Sequence, residues 1–149
     1  MRKLRKFLQL NSQKRSLLVR AALLLLIAKT SLAFLPFRLV RRFLNRFVRA
    51  SFHTPPADPV ICSRIGWAVA AAGRRIPGGK SCLPQALTAE LLLRSEGLPS
   101  RLQIGVARDE KKNFQAHAWI ESQGRVVVGG PALSHYTPLA AFDGEGGSG

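Results

Sequence analysis

The 149-residue chain has only two cysteines and, over its first third, no acidic residue. Two cysteines are too few for a disulfide scaffold and indicate a reducing compartment. A hydrophobic content of 46% is too high for a disordered chain and is sufficient for the core of one compact domain. The beginning of the chain does not resemble a secretory signal peptide. We therefore expect one folded cytoplasmic domain, with an appendage at most.

The chain also lacks an uninterrupted hydrophobic run of the length that an ordinary membrane span requires. The apolar segment 21–28 is followed by Lys29, and Pro36 comes soon after, whereas a spanning helix needs roughly 20 apolar residues. A tilted span that accepts Lys29 is the alternative. A buried helix, or a helix on a membrane surface, fits the pattern better.

The net charge of +15 is unevenly distributed. Residues 1–50 contain 13 Lys/Arg and no Asp or Glu, whereas residues 51–149 contain 10 Lys/Arg and 8 acidic residues, a balance of +2. A nucleic-acid-binding domain is therefore a poor explanation, because the basicity does not belong to the main body of the chain. The basic arm fits contact with a membrane surface, or it is simply solvated.

Residues 1–53 form a basic, leucine-rich region in which two helices are predicted. The first covers 15–34 and ends before Pro36, since proline disfavours helix in the residue before it. The second is amphipathic, with its arginines, Arg41 among them, placed opposite an apolar stripe. That stripe consists of Leu39, Val40, Phe43, Leu44, Phe47 and Val48.

Residues 54–59 have the composition of a linker and separate this region from a second one, residues 60–142. Asp58 is predicted to cap a helix that starts at Pro59, and another helix starts at Ser81–Cys82 and stops at Gly97. Three strands then follow, at about 101–106, 114–121 and 125–128, joined by short polar turns. Residues 143–149 are expected to be a disordered tail. The pattern predicts an α+β fold.

Cys82 and His117 are the candidate catalytic pair. A cysteine at a helix N-terminus meets unpaired backbone N–H groups and the positive end of the helix dipole, which favour the nucleophilic thiolate. His117 lies on a strand beside Trp119 and could supply the base that thiolate chemistry on a carbonyl requires. Spacing alone does not separate this interpretation from a buried cysteine and a structural histidine.

A series of motifs makes the catalytic interpretation more specific. C-L-P-Q-A-L from Cys82 is followed by L-L-x-x-x-G, L-x-I-G-V and then A-H-A-W-I-E around His117. The series covers most of residues 60–140 and resembles the transglutaminase-like cysteine protease domain of lasso-peptide biosynthesis. That domain is the leader peptidase called the B protein, here similar to its stand-alone form without a fused recognition domain.

The resemblance implies a fold in which N-terminal helices precede a papain/transglutaminase-like core. In that core the cysteine lies at a helix N-terminus packed on a small antiparallel sheet. Cys82 is then the nucleophile and His117 the general base and acid, with no metal and no cofactor. The implied partners are the leader of a precursor peptide, a separate leader-recognition protein and an ATP-dependent macrolactam cyclase.

The family's third catalytic residue, an Asp on the next strand, is where the chain departs from the pattern. Hairpin pairing sets His117 against Gly129 and Gly130, and neither carries a carboxylate. Glu121, on the same strand face as His117, is a weak candidate for orienting the imidazole. A backbone carbonyl or a water molecule is the alternative.

The remaining site residues are less well defined by the sequence. The backbone N–H of Cys82 is one natural oxyanion donor, and a second donor is unidentified, because Gln85 is expected on the flank of its helix. Trp119 and Tyr136 are candidates for the substrate groove, although Trp119 could equally pack on the sheet.

Three other hypotheses remain open at this stage. A zinc site of Cys62, Cys82, His117 and His135 lacks any short Cys-x-x-Cys or His-x-x-x-His pair, and Cys62 is better explained as a buried helix residue. The protein could instead be a non-catalytic adaptor that binds a membrane surface or nucleic acid through its basic helices. Transamidation in place of hydrolysis depends on water access.

Overall fold

The structure is a computed structural model, and it describes residues 11–47, 59–78, 81–108, 110–130 and 133–143. Over these residues it is an α+β fold in which helices precede an antiparallel sheet, as the sequence predicts. The sheet has the strand order β3-β2-β1-β4. The elements are α1 Ser12–Phe34, α2 Phe37–Phe47, α3 Pro59–Gly73, α4 Cys82–Ser95, β1 Arg101–Arg108, β2 Phe114–Ser122, β3 Arg125–Val128, a 3-10 turn Leu133–His135 and β4 Thr137–Asp143.

Two turns contain residues with positive φ: the turn between β2 and β3, and the turn that ends α4 before the sheet. Gln123 and Gly124 both have positive φ, 51° and 75°, as a tight hairpin turn between β2 and β3 requires. Gly97 has a φ of 74° and ends α4, and the N–H of Leu98 donates back to the carbonyl of Leu93. These positions confirm the turn and the C-cap that the sequence predicts.

One hydrophobic core joins the N-terminal region to the rest of the chain. The α1 helix packs on α3 and α4, and these two helices in turn pack on the sheet, so that all of them contribute to one core. The described residues of the region predicted over 1–53 therefore share a core with those of the region 60–142. Of the predicted linker, Pro59 begins α3 and residues 54–58 lie outside the described residues. The α1 core residues are Leu18, Ala21, Leu25 and Ala28.

By length and composition, α1 is the helix of the described residues that could cross a membrane. The core helix of a soluble protein and a signal sequence meet the same criterion. The 23 residues of α1 include Lys29, so the helix continues through the position where the sequence interrupts the apolar run.

The α2 helix is rotated relative to the sequence prediction. Leu39 and Phe43, expected in the buried stripe, are 40% and 53% exposed. Arg41, expected on the opposite face, is only 9% exposed. The cause is Glu90 on α4, a buried carboxylate that needs a cation. Two hydrogen bonds of 3.2 and 2.9 Å join Arg41 to Glu90, and its guanidinium lies 4.8 Å from the Phe142 ring.

Asp143, the first residue of the expected tail, lies in a strand. The β4 strand, which the sequence pattern does not reveal, pairs with β1 and brings Arg101 opposite Asp143. The Arg101 Nε donates to the Asp143 carboxylate at 2.6 Å, so Asp143 closes the sheet and does not begin a disordered tail. Pro138 lies on this edge strand, where proline is tolerated. Residues 144–149 lie outside the described residues.

Candidate active site

Cys82 is the first residue of α4, as predicted, and its side chain is half-buried. The preceding Ser81 hydroxyl lies 3.1 Å from the Gly78 carbonyl, in the turn that leads into the helix. Because the N–H groups of a helix's first turn have no partner within the helix, the Cys82 amide stays available beside its own thiol. Cys62, by contrast, is 5% exposed within the core, as the sequence predicts.

His117 is held by a main-chain carbonyl. Its Nε2 lies 2.7 Å from the Gly129 oxygen. Because a carbonyl oxygen can only accept, the hydrogen sits on Nε2 and the lone pair of the neutral ring is on Nδ1. The ring centroid is 5.0 Å from that of Tyr136, which covers one side of the imidazole. One nitrogen therefore anchors the ring, and the other keeps the character of a base.

The thiol and the imidazole line the same cavity, of about 300 Å³. The last paired residues of the β2–β3 hairpin on this side are Ile120 and Val128, and Gly129, the next residue, lies against His117 and Trp119 of β2. The polar side chains of the lining are those of Cys82, Gln85 and His117. The other lining residues are Gly66, Ala70, Ala118, Val127, Val128, Gly129 and Gly130.

Glycines allow the walls of this cavity to approach one another. A Cβ on Gly66 would lie 2.5 Å from the Val127 carbonyl oxygen, so α3 can pack this closely on β3 only with glycine at that position. A Cβ on Gly129 would lie 2.2 Å from the Trp119 Cβ, and Gly129 has a φ of 136°. The Gly129 carbonyl reaches His117 because its own residue has no side chain.

Trp119 supports this arrangement from beneath and does not line the cavity. It is 4% exposed, and its ring lies against the positions where Gly105 and Gly129 lack a Cβ. Its indole N–H donates to the Glu121 carboxylate at 2.8 Å. The Glu121 carboxylate also lies 3.5 Å from the Gln103 amide. Its hydrogen-bond partners are therefore Trp119 and Gln103, whereas the partner of the His117 imidazole is the Gly129 carbonyl.

Sequence reasoning misplaced one residue of the site and left the group that orients His117 open. Gln85, expected on the helix flank, lines the cavity one turn after Cys82, and its three-residue spacing from Cys82 was the available signal. The Gly129 carbonyl takes the place of the expected carboxylate, and of the two alternatives left open by the sequence, a backbone carbonyl or water, it corresponds to the first. The four residues of the zinc hypothesis do not form a site, since no group of three or more His, Cys, Asp or Glu among the described residues could hold a metal ion.

In a comparison with known protein families, residues 22–141 match the family model described as the transglutaminase-like superfamily. The chain belongs to the transglutaminase-like superfamily. Members of this superfamily commonly have cysteine protease or transglutaminase activity. The match begins within α1, so this helix belongs to the transglutaminase-like domain as well as to its core. Searches of curated proteins and of solved structures return no significant match to the chain.

Proposed function

We propose that this transglutaminase-like protein is a cysteine endopeptidase that removes the leader from a ribosomally made lasso-peptide precursor. The observation that supports it most is that Cys82, at a helix N-terminus, and His117 line one cavity, with Nε2 of the imidazole held by Gly129. The motif series from Cys82 to His117 supports the choice of substrate class.

The reaction assigns one step to each group. His117 takes the Cys82 proton at Nδ1, and the thiolate attacks the carbonyl at the leader–core junction. The imidazolium then gives its proton to the departing amine of the core, which leaves a thioester between Cys82 and the leader. Water, deprotonated by His117, hydrolyses the thioester and releases the leader as a carboxylic acid. The freed core amine is the group that a macrolactam cyclase needs.

The developing oxyanion needs hydrogen-bond donors. The Cys82 backbone N–H is the first, since it lies at the positive end of α4. The Gln85 side-chain amide, one turn further along the same helix and in the same cavity, is the second.

The Gly129 carbonyl is the orienting group for the imidazole in this mechanism, in place of Glu121. Replacing Gly129 with alanine is expected to lower kcat by about 100-fold or more. The new Cβ would push the carbonyl away from Nε2, so that the ring hydrogen is no longer held on that nitrogen. Single-turnover cleavage and ¹⁵N chemical shifts of the His117 ring measure the two effects.

Gly130→Ala is the matched control for that variant. Gly130 also has a positive φ, 80°, but a Cβ there meets nothing within 4 Å. It should cost about 1 kcal/mol of stability and keep both the cleavage rate and the His117 tautomer. Equal activity in the two variants would remove Gly129 from the mechanism.

A domain of this size cannot enclose a long leader. We assign leader affinity to a separate recognition protein that tethers the precursor and raises the effective concentration of the scissile bond. The ATP-dependent cyclase then consumes the product. With the recognition protein, the cleavage rate should therefore saturate at a low precursor concentration. Without it, the rate should be lower and should keep rising to much higher precursor concentrations.

The deciding experiment is mass spectrometry of a precursor incubated with the protein, with and without the recognition protein. His117→Gln should lower the cleavage rate by about 10²–10⁴-fold, whereas His135→Gln, on an exposed residue of the 3-10 turn, should not. If both variants cleave like the parent, the peptidase mechanism fails and the adaptor hypothesis gains. A product joined to an added amine would indicate transamidation.

A further inference from the structure

The outer face of α1, opposite its core residues, is apolar and has no partner among the described residues. It presents large side chains that are 44–86% exposed. A helix that is apolar on all sides is normally covered on all sides, and an apolar surface of this extent normally marks a binding site. The exposed side chains are Val19, Leu23, Leu26, Ile27 and Phe34.

Thr30 interrupts this outer face and satisfies its own polar group. Its hydroxyl lies 2.9 Å from the Leu26 carbonyl and 3.0 Å from that of Ile27. A hydroxyl bonded to the preceding turn of its own helix needs no water. The outer face can therefore be dehydrated without leaving this group unpaired.

The α2 helix continues the surface with a basic edge. Leu39 and Phe43 are exposed and form one row, and Arg38, Arg42 and Arg46 form the neighbouring row at a spacing of four residues. Phe34 and Leu35 join the two helices and are exposed as well. No Asp or Glu occurs in residues 1–50 to neutralise these arginines.

We propose that the outer face of α1, with the Leu39–Phe43 row of α2, lies in the headgroup region of an anionic membrane. Arg38, Arg42 and Arg46 would bind lipid phosphates. Charge complementarity selects this occupant: apolar side chains bordered by arginines, with no acidic residue, match a negatively charged lipid surface. The proposal does not depend on the peptidase chemistry, because none of these surface residues lines the cavity that contains Cys82 and His117.

The same helix cannot span the membrane in this fold. Its inner face supplies core residues to α3 and α4. Arg20 donates to the Ser95 hydroxyl at 3.2 Å, and the Lys29 ammonium donates to the Pro77 carbonyl. A spanning orientation would strip all of these contacts, so the helix lies parallel to the membrane plane.

Co-sedimentation of the full chain with vesicles tests the proposal. The chain should bind vesicles of mixed phosphatidylcholine and phosphatidylglycerol, and bind phosphatidylcholine alone far more weakly. The triple variant Arg38→Gln/Arg42→Gln/Arg46→Gln should partition about 100-fold more weakly, because each basic residue near an anionic surface contributes about fivefold. The matched control, Arg64→Gln/Arg74→Gln/Arg75→Gln, removes three exposed arginines elsewhere and should bind like the parent.

A second variant tests the apolar half of the surface. Leu23→Gln/Ile27→Gln should also lose vesicle binding and, since both positions are more than half exposed, should keep the parent's thermal unfolding. Equal binding to neutral vesicles, or no binding to anionic ones, would overturn the proposal. So would a dimer that this variant dissociates without any vesicle binding, which would assign the face to a second copy. Protein left in the pellet after alkaline carbonate extraction would overturn the in-plane orientation.

Discussion

Replacing Cys82 with alanine is expected to stop leader cleavage while precursor binding persists. In the proposed mechanism the Cys82 sulfur forms the acyl-enzyme, and alanine offers no nucleophile in its place. The remaining Gln85, His117 and Cys82-position amide only bind and polarise the carbonyl. The rate should fall on the order of 10⁴-fold or more. Single-turnover mass spectrometry measures the rate, and fluorescence anisotropy with a labelled precursor measures binding.

Cys62→Ala is the control for this result. It also removes one thiol, but Cys62 is 5% exposed in the core, so cleavage should continue at the parent rate. Iodoacetamide gives an independent readout, because in the folded protein it should alkylate Cys82 and spare Cys62. A Cys82→Ala protein that still processes the precursor would contradict the proposed nucleophile.

Replacing Arg41 with methionine is expected to destabilise the fold by about 3 kcal/mol near neutral pH. Arg41 makes the closest charged contact of the buried Glu90, at 2.9 Å, and Arg94 is 4.0 Å from the same carboxylate. Methionine fills the space along the core but leaves Arg94, which is further away, as the cation that faces Glu90. Urea denaturation followed by circular dichroism measures the loss.

The loss should depend on pH, with a sign set by Glu90. Burial raises the pKa of Glu90 above its ordinary value of 4.5, and the Arg41 guanidinium opposes that rise. Without Arg41 the folded-state pKa rises further, so the folded variant binds the Glu90 proton more tightly than the parent does. The variant's stability should therefore approach the parent's below about pH 4, where Glu90 is protonated even in the unfolded chain, and fall away from it as the pH rises.

Arg42→Met is the control. Arg42 is the next residue of α2 and is exposed, and exposed charges away from special features contribute within about 0.5 kcal/mol. The same small change in both variants would mean that Arg41 does not compensate the Glu90 charge. A loss in Arg41→Met that is constant across pH would place the cost in packing.

The sequence predicted the parts of this fold that local chemistry determines. Pro36 ends α1, Gly97 ends α4, and Gln123 with Gly124 forms the hairpin, because each of these residues restricts the backbone where it stands. Cys82 could be assigned to a helix N-terminus for the same reason.

Features that depend on distant partners were beyond the sequence. Arg41 reads as a surface residue of an amphipathic helix until Glu90, 49 positions away, is found beneath it. The partner of His117 is a main-chain oxygen, and the sequence pattern could offer a backbone carbonyl only as one alternative, because every residue carries one. The β4 strand depends on pairing with β1, and its own Pro138 argues against it.

The main-chain anchor of His117 has a consequence for working conditions. A carboxylate that holds an imidazole can be protonated in acid and then loses its hold on the ring. The Gly129 carbonyl carries no titratable proton, so it keeps the ring in register at any acidity the fold survives. The position of the ring therefore does not depend on the protonation of a neighbouring side chain.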